Sequence, residues 1–139
     1  MYRTVAHQAD IAIGVEADSL EGLFQESLAA LIDLLTNGEA ANVSGEELET
    51  FMIEADGFDN EVLLVGLLSE LLFASQTLKW GPRKIVSVNL VPNARVSAII
   101  SGLPDGGGER LCREIKAVTY HYLKITHFDL WRVSIVFDV

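Results

Sequence analysis

The segment 59–77 restricts the possible folds more than any other part of the chain. Its spacing predicts a helix that begins at Asp59 or Asn60 and is apolar on nearly every side, and such a helix has to be buried in the core of a domain. Its most apolar stretch, residues 62–74, is interrupted by Ser69 and Glu70 and is too short to span a bilayer. We therefore expect a globular domain built around this helix, with no membrane contact.

A strand and a first helix are predicted before this segment. Residues 9–17 alternate between apolar and polar or small side chains, as a half-buried strand does. A helix then begins at Asp18 or Ser19, both residue types that cap helix N-termini, and carries apolar residues at three-and-four spacing. It ends at Asn37-Gly38, because glycine accepts the left-handed conformation that closes a helix.

The rest of the chain is predicted as strands. Residues 48–55 form one strand, and residues 84–91 and 94–101 form a hairpin about Pro92-Asn93. Residues 115–125 and 130–139 form a second strand pair. The order predicts an α+β fold in which residues 1–139 make a single domain. We expect a two-layer sandwich, a mixed β-sheet with two helices packed on one face.

Charge and cysteine content exclude several classes of protein. The 20 acidic and 10 basic residues give a net charge of −10, which disfavours autonomous nucleic-acid binding and suits hard cations or a basic partner surface. The single cysteine, Cys112, rules out an internal disulfide and suits a reducing compartment. The N-terminus lacks the apolar stretch of a signal peptide. A cytoplasmic protein is therefore expected.

Two aspartates are the best candidates for a metal site. Alternation places Asp10 on the polar face of the first strand and Asp138 on the polar face of the last one. If these strands are neighbours, the two carboxylates converge, and a cation between them would relieve their repulsion. Val139 follows Asp138, and a terminal carboxylate there would add a third oxygen group suited to Ca²⁺ or Mg²⁺. The alternative is two unrelated surface aspartates at strand ends.

Four further residues have both a functional and a structural interpretation. His7 and His121 could complete a transition-metal site, although single histidines are more often structural. Lys116 could pair with acidic groups or contact phosphate, or be an ordinary surface lysine. Glu70 interrupts an apolar helix and is either a buried carboxylate with a partner or the solvated edge of that helix. The sequence contains no phosphate-binding loop, nucleophile elbow, zinc-helix motif or paired cysteines.

Several motifs together resemble the archease family. Residues 7–10, HQAD, are similar to the family's opening motif HTAD, and residues 19–36 and 63–73 resemble its two helices. Residues 116–121, KAVTYH, match its most recognisable motif, and residues 136–139, VFDV, match its acidic C-terminal strand. The resemblance covers nearly the whole chain in the same order. Glutamine replaces the usual threonine in the opening motif, which removes a hydroxyl beside the predicted site.

The resemblance implies a function and a site. Archeases are accessory activators of the GTP-dependent tRNA-splicing RNA ligase, promoting guanylylation of that ligase and its multiple turnover, and are not ligases themselves. By position, the family's metal site falls on Asp10, Asp138 and the backbone oxygen of Val139. RNA would be contacted only indirectly, through the ligase. Lys116 and His121 carry over as motif residues without an assigned role.

Two other functions remain open at this point. One is a metal-dependent phosphoester hydrolase with Asp10 and Asp138 as ligands and His121 as general base. The other is a chaperone-like binding module with a structural ion.

Overall fold

Ten secondary-structure elements lie in the part of the chain that the computed structural model describes, residues 2–6, 10–38, 48–78, 80–104 and 114–139. The helices are α1 (Leu20–Thr36) and α2 (Asn60–Gln76). The strands are β1 (Tyr2–Ala6), β2 (Asp10–Ala17), β3 (Glu49–Asp56), β4 (Gly81–Val91), β5 (Arg95–Leu103), β6 (Ala117–Thr119), β7 (Thr126–His127) and β8 (Trp131–Asp138).

These strands form two sheets, and every pairing among the described residues is antiparallel. The first sheet has the order β1-β2-β8-β6, with β7 also paired to β8, and the second has the order β3-β5-β4. The predicted α+β class is confirmed. The predicted single mixed sheet is replaced by two antiparallel sheets, because β8 pairs with β2 and β6 while the β4–β5 hairpin pairs with β3.

Both helices begin where the capping residues predict. The Ser19 hydroxyl accepts a hydrogen bond from the Gly22 backbone N–H at 2.9 Å, and the Asp59 carboxylate accepts one from the Val62 N–H at 2.8 Å. These bonds satisfy donors that the first helical turn leaves without a partner. At the other end, α1 ends at Asn37-Gly38 as predicted, and Asn37 as well as Gly38 is in the left-handed region, with φ values of 53° and 78°.

The helices contact both sheets. The first packs on β2 and β8 of the five-stranded sheet and on β4 of the other, and α2 packs on β6 as well as on β3, β4 and β5. The prediction of two helices on one face of one sheet is therefore wrong in this respect. Residues in each turn of α2 are buried, so this helix has to pack against other elements on several sides. The two sheets together provide that packing. No helix among the described residues is long and apolar enough to cross a membrane.

The inner faces of the sheets complete one continuous core. Alternate residues of β2 and β8, including Ile13, Ile135 and Phe137, are fully buried. Their neighbours along each strand lie on the opposite face, which we call the outer face of the five-stranded sheet. On β2 and β8 this outer face carries Asp10, Ala12, Gly14, Glu16, Arg132, Ser134, Val136 and Asp138.

Candidate metal centre

The first residue of β2 lies directly opposite the last residue of β8. Asp10 and Asp138 are register partners in this antiparallel pair, and both side chains are half-buried. Directly opposed residues project to the same side of a sheet, with Cβ atoms about 5 Å apart. The two aspartates therefore lie side by side at one end of the outer face, the arrangement that alternation predicts if these strands are neighbours.

A third strand, β6, pairs with β8 at Asp138 on the side of β8 that faces away from β2. Ala117, the first residue of β6, is the register partner of Asp138. The backbone N–H of Lys116 donates a hydrogen bond to the Asp138 carbonyl oxygen at 2.7 Å. This bond fixes the backbone at Asp138 while leaving its carboxylate on the outer face. Val139 follows directly and packs its side chain against the core, so its backbone lies beside the aspartate pair.

The donor set of this site is made of oxygen atoms. Two carboxylates with nearby backbone oxygens suit Ca²⁺ or Mg²⁺, which prefer hard oxygen ligands. Among the described residues, no group of three or more histidine, cysteine or acidic side chains could hold a metal ion. Any further ligands of an ion between Asp10 and Asp138 would therefore be backbone oxygens, water or side chains outside the described residues.

The other residues predicted for the site lie in different parts of the structure. Lys116 lies beside the aspartate pair through its backbone, and its side chain is exposed. Glu70 is exposed on α2, which supports its interpretation as the solvated edge of that helix. His7 and Cys112 lie outside the described residues.

The predicted strand 115–125 is shorter in the structure. Strand β6 ends at Thr119, and a turn follows in which the Leu123 N–H donates to the Tyr120 carbonyl at 3.1 Å. Tyr122 has a φ of 55°, a left-handed conformation that interrupts a strand. His121 is therefore exposed on this turn, and its backbone N–H donates to the Thr119 hydroxyl at 3.2 Å.

An ion-pair network lies at the opposite end of the outer face. Arg132 contacts the Glu16 carboxylate at 3.3 Å and the Asp129 carboxylate at 2.8 Å. The hydrogen bond from Arg132 holds the pKa of Asp129 below its ordinary value. Alternation along β8 puts Arg132 on this face, but the role of Asp129 depends on the turn before β8, which the sequence pattern does not describe.

A groove of about 470 Å³ lies beside this network. Lys124 and Thr126 line one side, and small residues of the outer face, among them Gly14 and Ser134, line the floor. This groove is not among the sites predicted from the sequence. The only signal for it is the run of small side chains on the polar face of β2, Ala12 and Gly14, which leaves space above the sheet.

The fold and the aspartate pair together define a class: a small α+β domain with paired carboxylates at the end of one antiparallel sheet. The sequence profile of the Archease protein family matches residues 2–139. The chain is 32% identical over 142 residues to protein archease of Methanopyrus kandleri, covering 99% of both chains. It is 30% identical to protein archease of Archaeoglobus fulgidus, covering 97% of this chain and 96% of that one. This chain belongs to the archease family.

Solved structures have the same fold. Protein 1598 of Methanobacterium thermoautotrophicum matches with a TM-score of 0.72 and 21% identity, covering 99% of this chain and 98% of that one. An archease of Thermotoga maritima, described as a possible chaperone, matches with a TM-score of 0.67 and 21% identity, covering 100% and 98%. The α+β architecture is therefore the fold of this family.

Proposed function

We propose that this protein is an accessory activator of a GTP-dependent tRNA-splicing RNA ligase. It would promote guanylylation and multiple turnover of the ligase, acting in the cytoplasm. The observation that carries the proposal is the opposition of Asp10 and Asp138 in a chain of the archease family. These are the residues to which the family resemblance assigns a divalent ion.

The chain's own residues would prepare this site before an ion binds. Pairing of β2 with β8 holds the two carboxylates opposite each other, and the Lys116 N–H bond fixes the backbone of Asp138. Asp10, Asp138 and the backbone oxygen of Val139 would hold Ca²⁺ or Mg²⁺. When bound, the ion would supply positive charge that stabilises negative oxygen atoms of a ligand.

The overall charge supports a protein partner with a basic surface. The chain has 20 acidic and 10 basic residues, and an enzyme that grips RNA concentrates lysine and arginine where the phosphates lie. Complementary charge speeds the encounter of such partners and weakens it as salt rises. The ligase would therefore bind to an acidic surface of this protein.

The decisive experiment is RNA ligation by the partner ligase at substoichiometric and at excess enzyme. Wild-type protein should permit multiple turnover, whereas Asp10→Asn and Asp138→Asn should reduce stimulation at least tenfold. Glu54→Gln removes a carboxylate from β3, where the cross-strand neighbour is Ser97, and should leave stimulation unchanged. Equal stimulation by all four proteins would contradict the assigned role of the pair.

Two other functions give different results in the same assays. A phosphoester hydrolase would turn over nucleotide or phosphoester substrates without any ligase. A chaperone-like module, which the description of the Thermotoga maritima protein suggests for that relative, would raise the yield of folded ligase. It would not change the turnover of ligase that is already folded.

A further inference from the structure

Three aromatic side chains are strongly exposed on the segment that connects β6 to β8. Tyr120 is 58% exposed, Tyr122 is 88% exposed and Phe128 is 93% exposed. We call residues 120–128 the aromatic segment. A large ring that stays exposed does not gain the stabilising free energy of burial. The grouping of three such rings on one short segment therefore points to contact with another molecule.

The aromatic segment is anchored, although its rings are exposed. The Ile125 backbone N–H donates to the Glu61 carboxylate on α2 at 3.1 Å, and the side chains of Leu123 and Ile125 pack against the core. Tyr122 is held in the left-handed region, which a bulky residue adopts only where the surrounding structure imposes it. The fold therefore holds the Tyr122 ring toward solvent.

Two exposed lysines lie near these rings along the chain. Residues 4–78 contain 15 acidic and no basic residues, whereas residues 79–139 contain nine basic and five acidic ones. Lys116 lies just before the aromatic segment, Lys124 lies within it, and both side chains are exposed. The basic residues of this half are divided between both sheets, so the cation closest to the rings along the chain is Lys124.

The groove beside the aromatic segment adds a place for a phosphate group. Lys124 lines it and makes no ion pair within the described part of the chain. Arg132 and Glu16 line it too, and Arg132 shares its charge with the Glu16 and Asp129 carboxylates. Among the described side chains, Lys124 is therefore the main cation there for an incoming anion, with the Ser134 hydroxyl on the floor as a second donor.

We propose that the aromatic segment and this groove form a contact site for single-stranded RNA. Bases would stack on the exposed rings, and Lys124 would contact a backbone phosphate, the combination by which proteins bind single strands without sequence preference. The position of Lys124 between Tyr122 and Phe128 favours RNA over a protein surface as the occupant. The site deepens the proposed function, and so rests on it, by adding direct contact with the substrate strand.

The net charge of −10 limits the strength of this contact. The free protein should bind RNA weakly, as its composition predicts, because the acidic remainder repels a polyanion. The contact would act on a strand that the ligase already holds, where the effective concentration is high.

Fluorescence anisotropy with a labelled oligouridine of about ten nucleotides, at low salt and without ligase, tests the proposal. Tyr122→Ala should weaken binding about tenfold, within the range for loss of one stacked base. Lys124→Gln should also reduce the slope of log affinity against log salt by about 0.7, the value for one phosphate contact on a single strand. A duplex RNA of equal length should bind more weakly than the single strand.

Two variants serve as matched controls. Phe73→Ala removes a ring that is 50% exposed on α2, about 18 Å along the helix from Glu61 at 1.5 Å per residue. Lys84→Gln removes an exposed lysine from β4 of the other sheet. Both should bind the oligonucleotide as the wild type does, and thermal unfolding of all variants would check that they are folded.

Three results would overturn the proposal. They are undetectable binding by the wild type, wild-type affinity in both Tyr122→Ala and Lys124→Gln, or equal losses in the control variants. If both test variants bind RNA normally but bind the ligase more weakly in a separate binding assay, the aromatic segment contacts a protein instead. Because this measurement contains no ligase, its failure is separate from a failure of the proposed function, which appears as absent stimulation of ligation.

Discussion

Replacing Asp138 with asparagine should stabilise the ion-free protein. The Cβ atoms of the two opposed aspartates lie about 5 Å apart, judged from the usual cross-strand separation. Two unit charges at that distance repel by about 3 kcal/mol at an effective dielectric constant of 20, and by about 1 kcal/mol in bulk water. Because both side chains are half-buried and partly screened, Asp138→Asn should raise the free energy of unfolding by about 1 kcal/mol.

A divalent ion should reverse the order of stability. An ion that binds only the folded protein adds about 2.7 kcal/mol when its concentration is 100 times its dissociation constant. Removing one of the two carboxylates should abolish most of that gain. The wild type should therefore be the less stable protein in chelator and the more stable one in saturating Ca²⁺ or Mg²⁺.

Urea denaturation in chelator and in saturating ion measures both effects. Asp10→Asn should behave like Asp138→Asn, because each removes one half of the same pair. Glu54→Gln is the control for the loss of one negative charge, since Ser97 and not a carboxylate lies opposite it. If Asp138→Asn is no more stable than the wild type in chelator, or if it keeps the full stabilisation by ion, the assignment of the site is refuted.

Three further predictions concern stability. Ser19→Ala should lower the free energy of unfolding by about 1 kcal/mol in urea denaturation, because the Gly22 N–H loses its cap. Gly102→Ala should lower it by about 3 kcal/mol, or prevent folding, because the new Cβ would clash with the Gly81 carbonyl oxygen. Burial raises the pKa of Asp33, so its ionisation opposes folding as the pH rises through its ordinary and raised pKa values. Asp33→Asn should therefore raise the thermal midpoint at neutral pH, and the difference should shrink toward zero below pH 3.8, the ordinary value.

Local patterns predicted those features that depend on neighbouring residues along the chain. Ser19 and Asp59 begin their helices, and Asn37 ends α1, because capping involves residues within one turn. Alternation predicted the buried faces of β2 and β8 for the same reason. The opposition of Asp10 and Asp138 needed one further condition, that these strands be neighbours, and the fold meets it.

Pattern alone did not predict features that depend on distant pairing. The division into two sheets follows from which strands meet, and alternation is equally compatible with one sheet. The turn at Tyr122 is missed because residues 115–125 contain neither glycine nor proline to mark it. Whether Glu70 is buried or solvated could not be predicted for a similar reason. Its exposure depends on which sides of α2 the two sheets cover, and they leave its position exposed.

Strand β8 links the proposed sites, because it carries a residue of each on one face. Asp138 and Arg132 are six residues apart on it, about 20 Å at 3.4 Å per residue. The strand pairs with β2, β6 and β7 and buries its inner face in the core, so this separation cannot vary much. A slip of one residue in its register would turn Asp138 away from Asp10 and Arg132 away from the groove, while burying polar side chains. The packing that stabilises β8 is therefore also what holds the acidic pair and the RNA groove at a constant distance, so one ligand could reach both only if it spans about 20 Å.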